Sequence, residues 1–385
     1  MPTMIADTFC VVEHLPGAAT MIGARLRFAR EKRGLTLNEV AEVADIGVSS
    51  LSDFENDKRQ PKLSQLQALA KLYGRSEAFF LQEGAVPAEQ VLWRQRPVND
   101  VAVAFEAQFV RLCEQYHNLE LWCGERVGAD LPVSTTPAAS FTYATAEELA
   151  HRVRKALNLG DCPAMGLRTV LEESCGVKVF HLAVEPTGTA ACSLSETYGM
   201  AVLLNTNNRR WRRNFDLAHE LFHLLTWQAF RGQSDSTAPA HEEKLADAFA
   251  SALVLPTDAV QAAVEEKRLA AGKLNRSALF DLAREFDVSV EALLWKLKKI
   301  YNRTEEATRA DIDACKLLAK TYENRKEEAP PVRPDRFQAL VLKALQRGEL
   351  STGRAAEYLG ISRREAMKLE DLDGAPDAEV AISPA

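Results

Sequence analysis

Between Met21 and Gln82 apolar residues recur three and four positions apart, as in Leu35, Val40, Ala41 and Ala44 or Leu66, Leu69, Ala70 and Tyr73. That spacing gathers them on one side of a helix. Gly34, Asp45 and the stretch from Asp57 to Pro61 interrupt it, and Thr36 and the Lys62 to Ser64 segment stand where helices begin. Residues 21–82 therefore read as a compact unit of four to five helices. Residues 83–100, rich in Pro, Gly and polar side chains, read as a linker into a helix from Val101 to Arg126. On that helix Phe105, Phe109, Leu112, Tyr116, Leu119 and Trp122 or Cys123 share one face. After a second irregular connection at 127–140, helices are predicted over Ala146–Leu157 and Leu167–Ser174. The period then shortens: 177–182, 190–196 and 199–205 read as three short strands of a small sheet, with a turn at Pro186–Thr189. Helical spacing resumes at Asn214 and continues to Glu370.

These patterns predict a chain that is mostly α with a small β-sheet. It divides into an all-α unit (21–82), a linker and connecting helix (83–145), an α+β domain (146–302), a helical C-terminal region (303–372) and a flexible tail (373–385). A length of 385 residues agrees with two to four domains. At 46% hydrophobic and 26% charged residues, collagen-like, coiled-coil and wholly disordered classes are excluded. No apolar run is long enough to span a bilayer, and the first residues lack the basic and apolar regions of an export signal, so a cytoplasmic location is expected. With 47 basic against 54 acidic side chains the net charge is −7, which excludes a polycationic nucleic-acid binder but not a local basic face. The seven cysteines are scattered and form no C-x-x-C pair, as expected of reduced thiols.

The sharpest chemical signal is Leu217-Ala218-His219-Glu220-Leu221-Phe222-His223, an H-E-x-x-H inside an apolar helical pattern. Residues four apart stack on one helix face, so His219 and His223 can present two imidazoles to one ion with Glu220 beside them. Two histidines and a glutamate on a buried helix are costly without a partner. About twenty residues on, a further helix carries Glu243, with Asp247 one turn later. Glu243 completes a two-His, one-carboxylate set for Zn2+ that leaves the fourth tetrahedral position open for water, and Asp247 is placed to accept from a ligating imidazole. Adjacent Glu242 is the rival third ligand. Glu243 is preferred because it has Ala246 and Asp247 at i+3 and i+4. The competing interpretation is a pair of satisfied core histidines beside a solvated glutamate. With an open position the ion acidifies its water and polarises a carbonyl, and Glu220 is the general base that carries the proton to the leaving amine. The strands before the motif offer an edge to an extended peptide.

The runs RRNFDLAHELFHLL and HEEKLADAFASALVLP resemble the ImmA/IrrE family of metallopeptidases. Phe215, Ala218, His219, Glu220, His223, Glu243, Ala246, Asp247, Phe249, Ala250, Leu253 and Pro256 fit its pattern. The resemblance spans roughly Ala146 to Tyr301 and implies a zincin-like fold. It also implies a zinc peptidase that cleaves a helix-turn-helix repressor, inducing stress-response, mobile-element or phage-defence genes after a signal such as DNA damage. Phe222 departs from the family's usual glycine.

The N-terminal unit resembles the XRE-type helix-turn-helix of phage repressors through Gly34, Leu35, Thr36, Glu39, Ala41, Val48, Leu51, Ser52, Glu55, Pro61, Leu66, Leu69 and Ala70. The alignment sets the recognition helix at about Gly47 to Asn56. Its small hydroxyls and Asp53 are poor base readers. The reading assigns limited base preference to Ser49, Ser50 and Ser52, and phosphate contacts to Arg25, Arg27, Arg30, Lys32, Arg33, Lys58, Arg59 and Lys62. The alternative is a fold that docks a protein. Residues 348–370 echo this unit as a divergent helix-turn-helix, 327–335 read as a linker and 374–385 as a frayed end.

A cysteine thiolate in the open zinc position would make such a centre latent, with Cys113 the first candidate and Cys192 the second. The basic cluster Arg209, Arg210, Arg212 and Arg213 reads either as a solvated helix start or as a site for an acidic partner. The partners expected are thus a repressor protein as substrate, possible DNA, a possible homo-oligomer, and no membrane. The rival class is a DNA-binding transcription regulator whose peptidase-like domain only senses an effector or metal.

Overall fold

The computed structural model describes residues 22–81, 90–125, 128, 130–231, 240–272, 274–322 and 329–371. The chain forms two compact units, Met1–Val86 and Pro87–Ala385.

The first unit holds helices α1 (Ile22–Lys32), α2 (Leu37–Ala44), α3 (Val48–Glu55), α4 (Leu63–Tyr73) and α5 (Glu77–Leu81). Thr36 caps α2 through a capping box with Glu39, and Asp45 closes it in the left-handed conformation. The apolar stripes meet in a core of Leu26, Val40, Leu51, Phe54, Leu69, Phe79 and Phe80. Two of the proposed phosphate contacts are internal: Arg25 is buried against the Phe79 ring, and Arg30 pairs with Glu55 at 2.6 Å, tying α1 to α3. Arg27 also reaches Glu55 and Asn56. Arg25 and Arg30 serve the fold, while Arg27 remains exposed.

The second unit is built on a sheet. Its strands are β1 (Gln90–Trp93), β2 (Lys178–Leu182), β3 (Ala190–Ser195) and β4 (Gly199–Asn205), in the order β1-β3-β4-β2 among the described residues. β1 runs antiparallel to β3 with Leu92 opposite Cys192, β3 antiparallel to β4, and β2 parallel to β4. The sequence predicted three strands and placed residues 90–93 in a linker. Four consecutive residues are too short a period for alternation to stand out, but pairing with β3 completes their backbone hydrogen bonds.

Alternate residues face opposite sides. Leu92, Val179, Cys192, Val202 and Leu204 enter a core with α7 (Tyr143–Ala156), α8 (Pro163–Glu173), α9 (Arg210–Leu225) and α11 (Ala240–Val254). α12 (Thr257–Ala271), α13 (Arg276–Glu285), α14 (Val290–Tyr301) and α15 (Glu305–Tyr322) extend that side, and α10 (Trp227–Phe230) follows α9. Trp93, Phe180, Ala191 and Leu203 enter a second core with α6 (Asn99–Cys123), α16 (Asp335–Gln346) and α17 (Thr352–Leu359). Helix α18 (Arg363–Asp371) packs on α16 and α17. The predicted C-terminal block thus divides, α15 going to one side of the sheet and α16 and α17 to the other. The tail 373–385 lies outside the described residues. Among those residues no helix is long and apolar enough to cross a membrane.

Buried charge marks the second side. Glu120 holds Lys178 at 2.9 Å and Arg336 at 2.6 Å, joining α6, β2 and α16. Glu172 on α8 is less well served: it is 4% exposed, one oxygen accepts from Arg168 at 3.1 Å and the other has no partner among the described residues. Burial, against the pull of Arg168, pushes its carboxyl up to about 7. A carboxyl that binds its proton more tightly when folded loses stability as pH rises from its ordinary range through about 7. Glu172→Gln should therefore match the parent at pH 4 and exceed it at pH 8 by about 1–3 kcal/mol, checked by denaturant unfolding at both pH values.

Candidate metal centre

Helix α9 carries Asp216, His219, Glu220 and His223, all at most 2% exposed, among Leu217, Ala218, Leu221, Phe222, Leu224 and Leu225. The i,i+4 spacing brings the two Nε2 atoms to 3.2 Å. Glu243 on α11 faces both, Oε2 lying 3.2 Å from His219 Nε2 and Oε1 3.4 Å from His223 Nε2. Ligand atoms of His219, His223 and Glu243 all lie within 4.8 Å of one another. The outer nitrogens are held separately: His219 Nδ1 by Asp247 at 2.9 Å and His223 Nδ1 by Glu242 at 2.8 Å. This separates the two adjacent glutamates. Glu243 shares the side of the Nε2 atoms, while Glu242 orients an imidazole from behind.

The donor set suits a tetrahedral ion. Two neutral imidazoles cannot both donate across 3.2 Å. A tetrahedral zinc with bonds of about 2.0–2.1 Å separates its ligand atoms by about 3.3–3.4 Å, close to the three separations found here. The carboxylates on both Nδ1 atoms favour the tautomer that leaves Nε2 unprotonated. In the protein alone, hydrogen bonds to Glu242 and Glu243 outweigh burial and raise His223 to about 9. The same contacts from His219 and His223 overcome burial and hold Glu243 down to about 2. Glu220 is fully buried, and the Cys192 thiol, a weak donor, is the side chain that approaches its carboxyl. Burial, against the pull of His219 and His223, raises its carboxyl above the ordinary range.

Two arginines that the sequence reading did not single out complete the surroundings. Arg94, immediately after β1, extends one guanidinium nitrogen to Asp216 and the other to Asp247, each at 2.9 Å. Arg231, just past α10, forms a buried ion pair with Glu242. Each imidazole is therefore backed by a carboxylate and each carboxylate by an arginine. Asp216 also accepts from Asn208 and lies 2.9 Å from Arg212. Arg210 pairs with Asp287, and Arg213 donates to the carbonyl of Asn208. Arg210, Arg212 and Arg213, in the first turn of α9, are thus engaged within the fold. His241 is exposed on the first turn of α11, its ring 6.5 Å from Tyr143.

Phe222 belongs to an aromatic group with Phe141, Phe230 and Phe249, and its ring stands edge-on to His223. The larger side chain is accommodated by these neighbours. Cys113 is a correction: it is fully buried in the core on the opposite side of the sheet from α9, so its thiol cannot serve the centre. Cys192 is on the same side as α9. Burial first and the nearby Glu220 next push its thiol well above its ordinary value, which disfavours a thiolate ligand.

In the first unit the recognition helix is α3, with Gly47 and Asn56 as caps. Ser49, Arg59 and Lys62 are exposed and Ser50 and Ser52 half-buried, so all five proposed contact residues reach the surface.

Residues 26–80 match the family model described as Helix-turn-helix, and residues 172–298 match the one described as IrrE N-terminal-like domain. The resemblances to both families hold over those residues. The chain is 40% identical over 65 residues to the HTH-type transcriptional regulator ImmR of Bacillus subtilis, covering 17% of this chain and 51% of that protein. It is 33% identical over 86 residues to the Immunity repressor protein of Bacillus phage phi105, covering 22% and 60%. It is 48% identical over 50 residues to the HTH-type transcriptional regulator DdrOP3 of Deinococcus deserti, covering 13% and 39%. The chain spans between about two-fifths and three-fifths of the length of these relatives. The chain thus carries two separate family matches, one to a helix-turn-helix and one to an IrrE N-terminal-like domain.

If Arg94 fixes the two carboxylates behind the metal helix, Arg94→Ala should weaken metal binding by about 10–100-fold with helical content preserved. Arg94→Lys, which cannot fork to two acids, should fall between. Competition with a chromophoric chelator measures both.

Proposed function

We propose that this chain is a zinc-dependent, site-specific endopeptidase that cleaves a helix-turn-helix transcriptional repressor. The observation that carries the reading is the convergence of His219, His223 and Glu243 at tetrahedral spacing beside the buried Glu220. Zinc held by His219, His223 and Glu243 would supply Lewis acidity to the scissile carbonyl and to a water molecule. Glu220, its carboxyl raised by burial, takes the proton from that water and delivers it to the leaving amine. Asp247 and Glu242 keep the imidazoles oriented, with Arg94 and Arg231 behind them. β3 is paired on both sides, so an extended substrate adding to this part of the sheet pairs with β1, the strand that leads into Arg94.

The named relatives are a transcriptional regulator and an immunity repressor, which supports DNA as the ligand of α1–α5; a repressor as substrate is what the resemblance to the metallopeptidase family implies. Cleavage would lift repression of stress-response, mobile-element or phage-defence genes after a signal such as DNA damage, in the cytoplasm. The same relatives also favour a second reading, a DNA-binding regulator whose metal domain senses without cutting.

Incubation with a purified helix-turn-helix repressor encoded beside this chain separates the two. The parent with zinc should cut at one bond, Glu220→Gln should lose about 10²-fold or more in rate while still binding zinc, and chelation should abolish cutting. Equal cleavage by both proteins would discard the mechanism. For the first unit, Arg59→Ala with Lys62→Ala should weaken duplex binding uniformly across sequences and lower the slope of log affinity against log salt by about 2, measured by fluorescence anisotropy.

A further inference from the structure

The C-terminal helices α16, α17 and α18 repeat the order, spacing and caps of α1, α2 and α3 without an insertion or deletion. One constant offset, that between Thr36 and Ser351, aligns the elements: α1 with α16, the eight-residue α2 with the eight-residue α17, and α3 with α18. Under it Leu26, Ala29, Val40 and Leu51 correspond to Val341, Ala344, Ala355 and Ala366, all buried. Thr36 and Ser351 both cap the second helix by accepting from the amide three residues on. Asp45 and Gly360, at φ 53° and 70°, occupy the same left-handed position between the second and third helices. The amides of Ile46 and Ile361 then make the same bond, to Ala41 and Ala356. Neither family match covers this region.

The repeat differs where a helix-turn-helix meets its ligand. In this motif the last helix enters the major groove, its first residues at the base edges. α3 offers Val48, Ser49 and Asp53, and the matching positions of α18 are Arg363, Arg364 and Lys368. Ala366 is the one buried side chain on α18 among the described residues, and Arg363, Arg364, Met367 and Lys368 are exposed. Two arginines at the positive end of a helix dipole oppose helix formation. Among the described residues neither has an ion-pair partner to offset that. Glu365, the acid of the first turn, is turned back onto Ser362 in the cap. A guanidinium matches phosphate or the guanine edge in two-point geometry.

We propose that α16–α18 form a second helix-turn-helix that binds duplex nucleic acid through Arg363, Arg364 and Lys368. It supplies the guanine-reading groups that α3 lacks, so the chain carries two separate duplex-binding modules. This is independent of peptide-bond cleavage.

The test uses the full chain and labelled DNA duplexes in fluorescence anisotropy over a range of salt. Arg363→Glu with Arg364→Glu should weaken binding by about tenfold or more and lower the salt slope by about 2. Adding Arg59→Glu and Lys62→Glu should remove what binding remains. If the reversal perturbs folding, Arg363→Gln with Arg364→Gln must give the same two changes with an unaltered melting temperature. Unchanged affinity and slope in these variants, with binding lost on the N-terminal changes alone, would overturn the proposal and leave the basic helix as a protein-docking surface.

Discussion

Four ionisable side chains on one buried helix are the constraint from which the rest of the second unit follows. Asp216, His219, Glu220 and His223 are almost wholly removed from water inside α9. An isolated charge in such a place costs several kcal/mol, so the helix is stable only where the tertiary structure brings partners to it. Asp247 and Glu242 from α11, Arg94 from the end of β1 and Arg231 from beyond α10 are those partners. On the inner side they leave two imidazole nitrogens facing one another, one glutamate across from both, and Glu220. An ion and a reacting group fit that remainder.

The same constraint explains the fourth strand. Arg94 reaches Asp216 and Asp247 because β1 is fixed against β3, with Leu92 in the core beside α9 and Trp93 in the core on the other side. The indole of Trp93 donates to Glu106 on α6 at 2.7 Å, which locks the strand to its far-side helix. The match to the IrrE-like model begins at residue 172, so this support for the metal helix comes from outside the matched span. The aromatic group around Phe222 has a similar origin, since Phe141 comes from a segment read as a connection.

Basic residues show how differently one residue type is used across the chain. Arg25 and Arg30 are consumed by the core of the first unit, and Arg210, Arg212 and Arg213 of α9 by carboxylates and a carbonyl. Arg363 and Arg364 stand at a solvent-facing helix start. Composition treats all of these alike, because net charge counts groups and not the acceptors near them.

Local sequence determined whatever depends on local geometry. Residues four apart must stack on a helix, so His219 and His223 were legible as a pair, and Thr36 and Asp45 were legible as the boundaries of α2. The helical stretches and three of the four strands followed from spacing in the same way. Only the tertiary structure decided which of two adjacent glutamates faces the imidazole nitrogens, that Cys113 lies across the sheet from them, and that a four-residue stretch of apparent linker delivers Arg94 to Asp247. Those outcomes depend on groups far apart in the chain, 153 residues in the case of Arg94 and Asp247. No periodicity in one segment encodes the position of a charge that another segment brings to it.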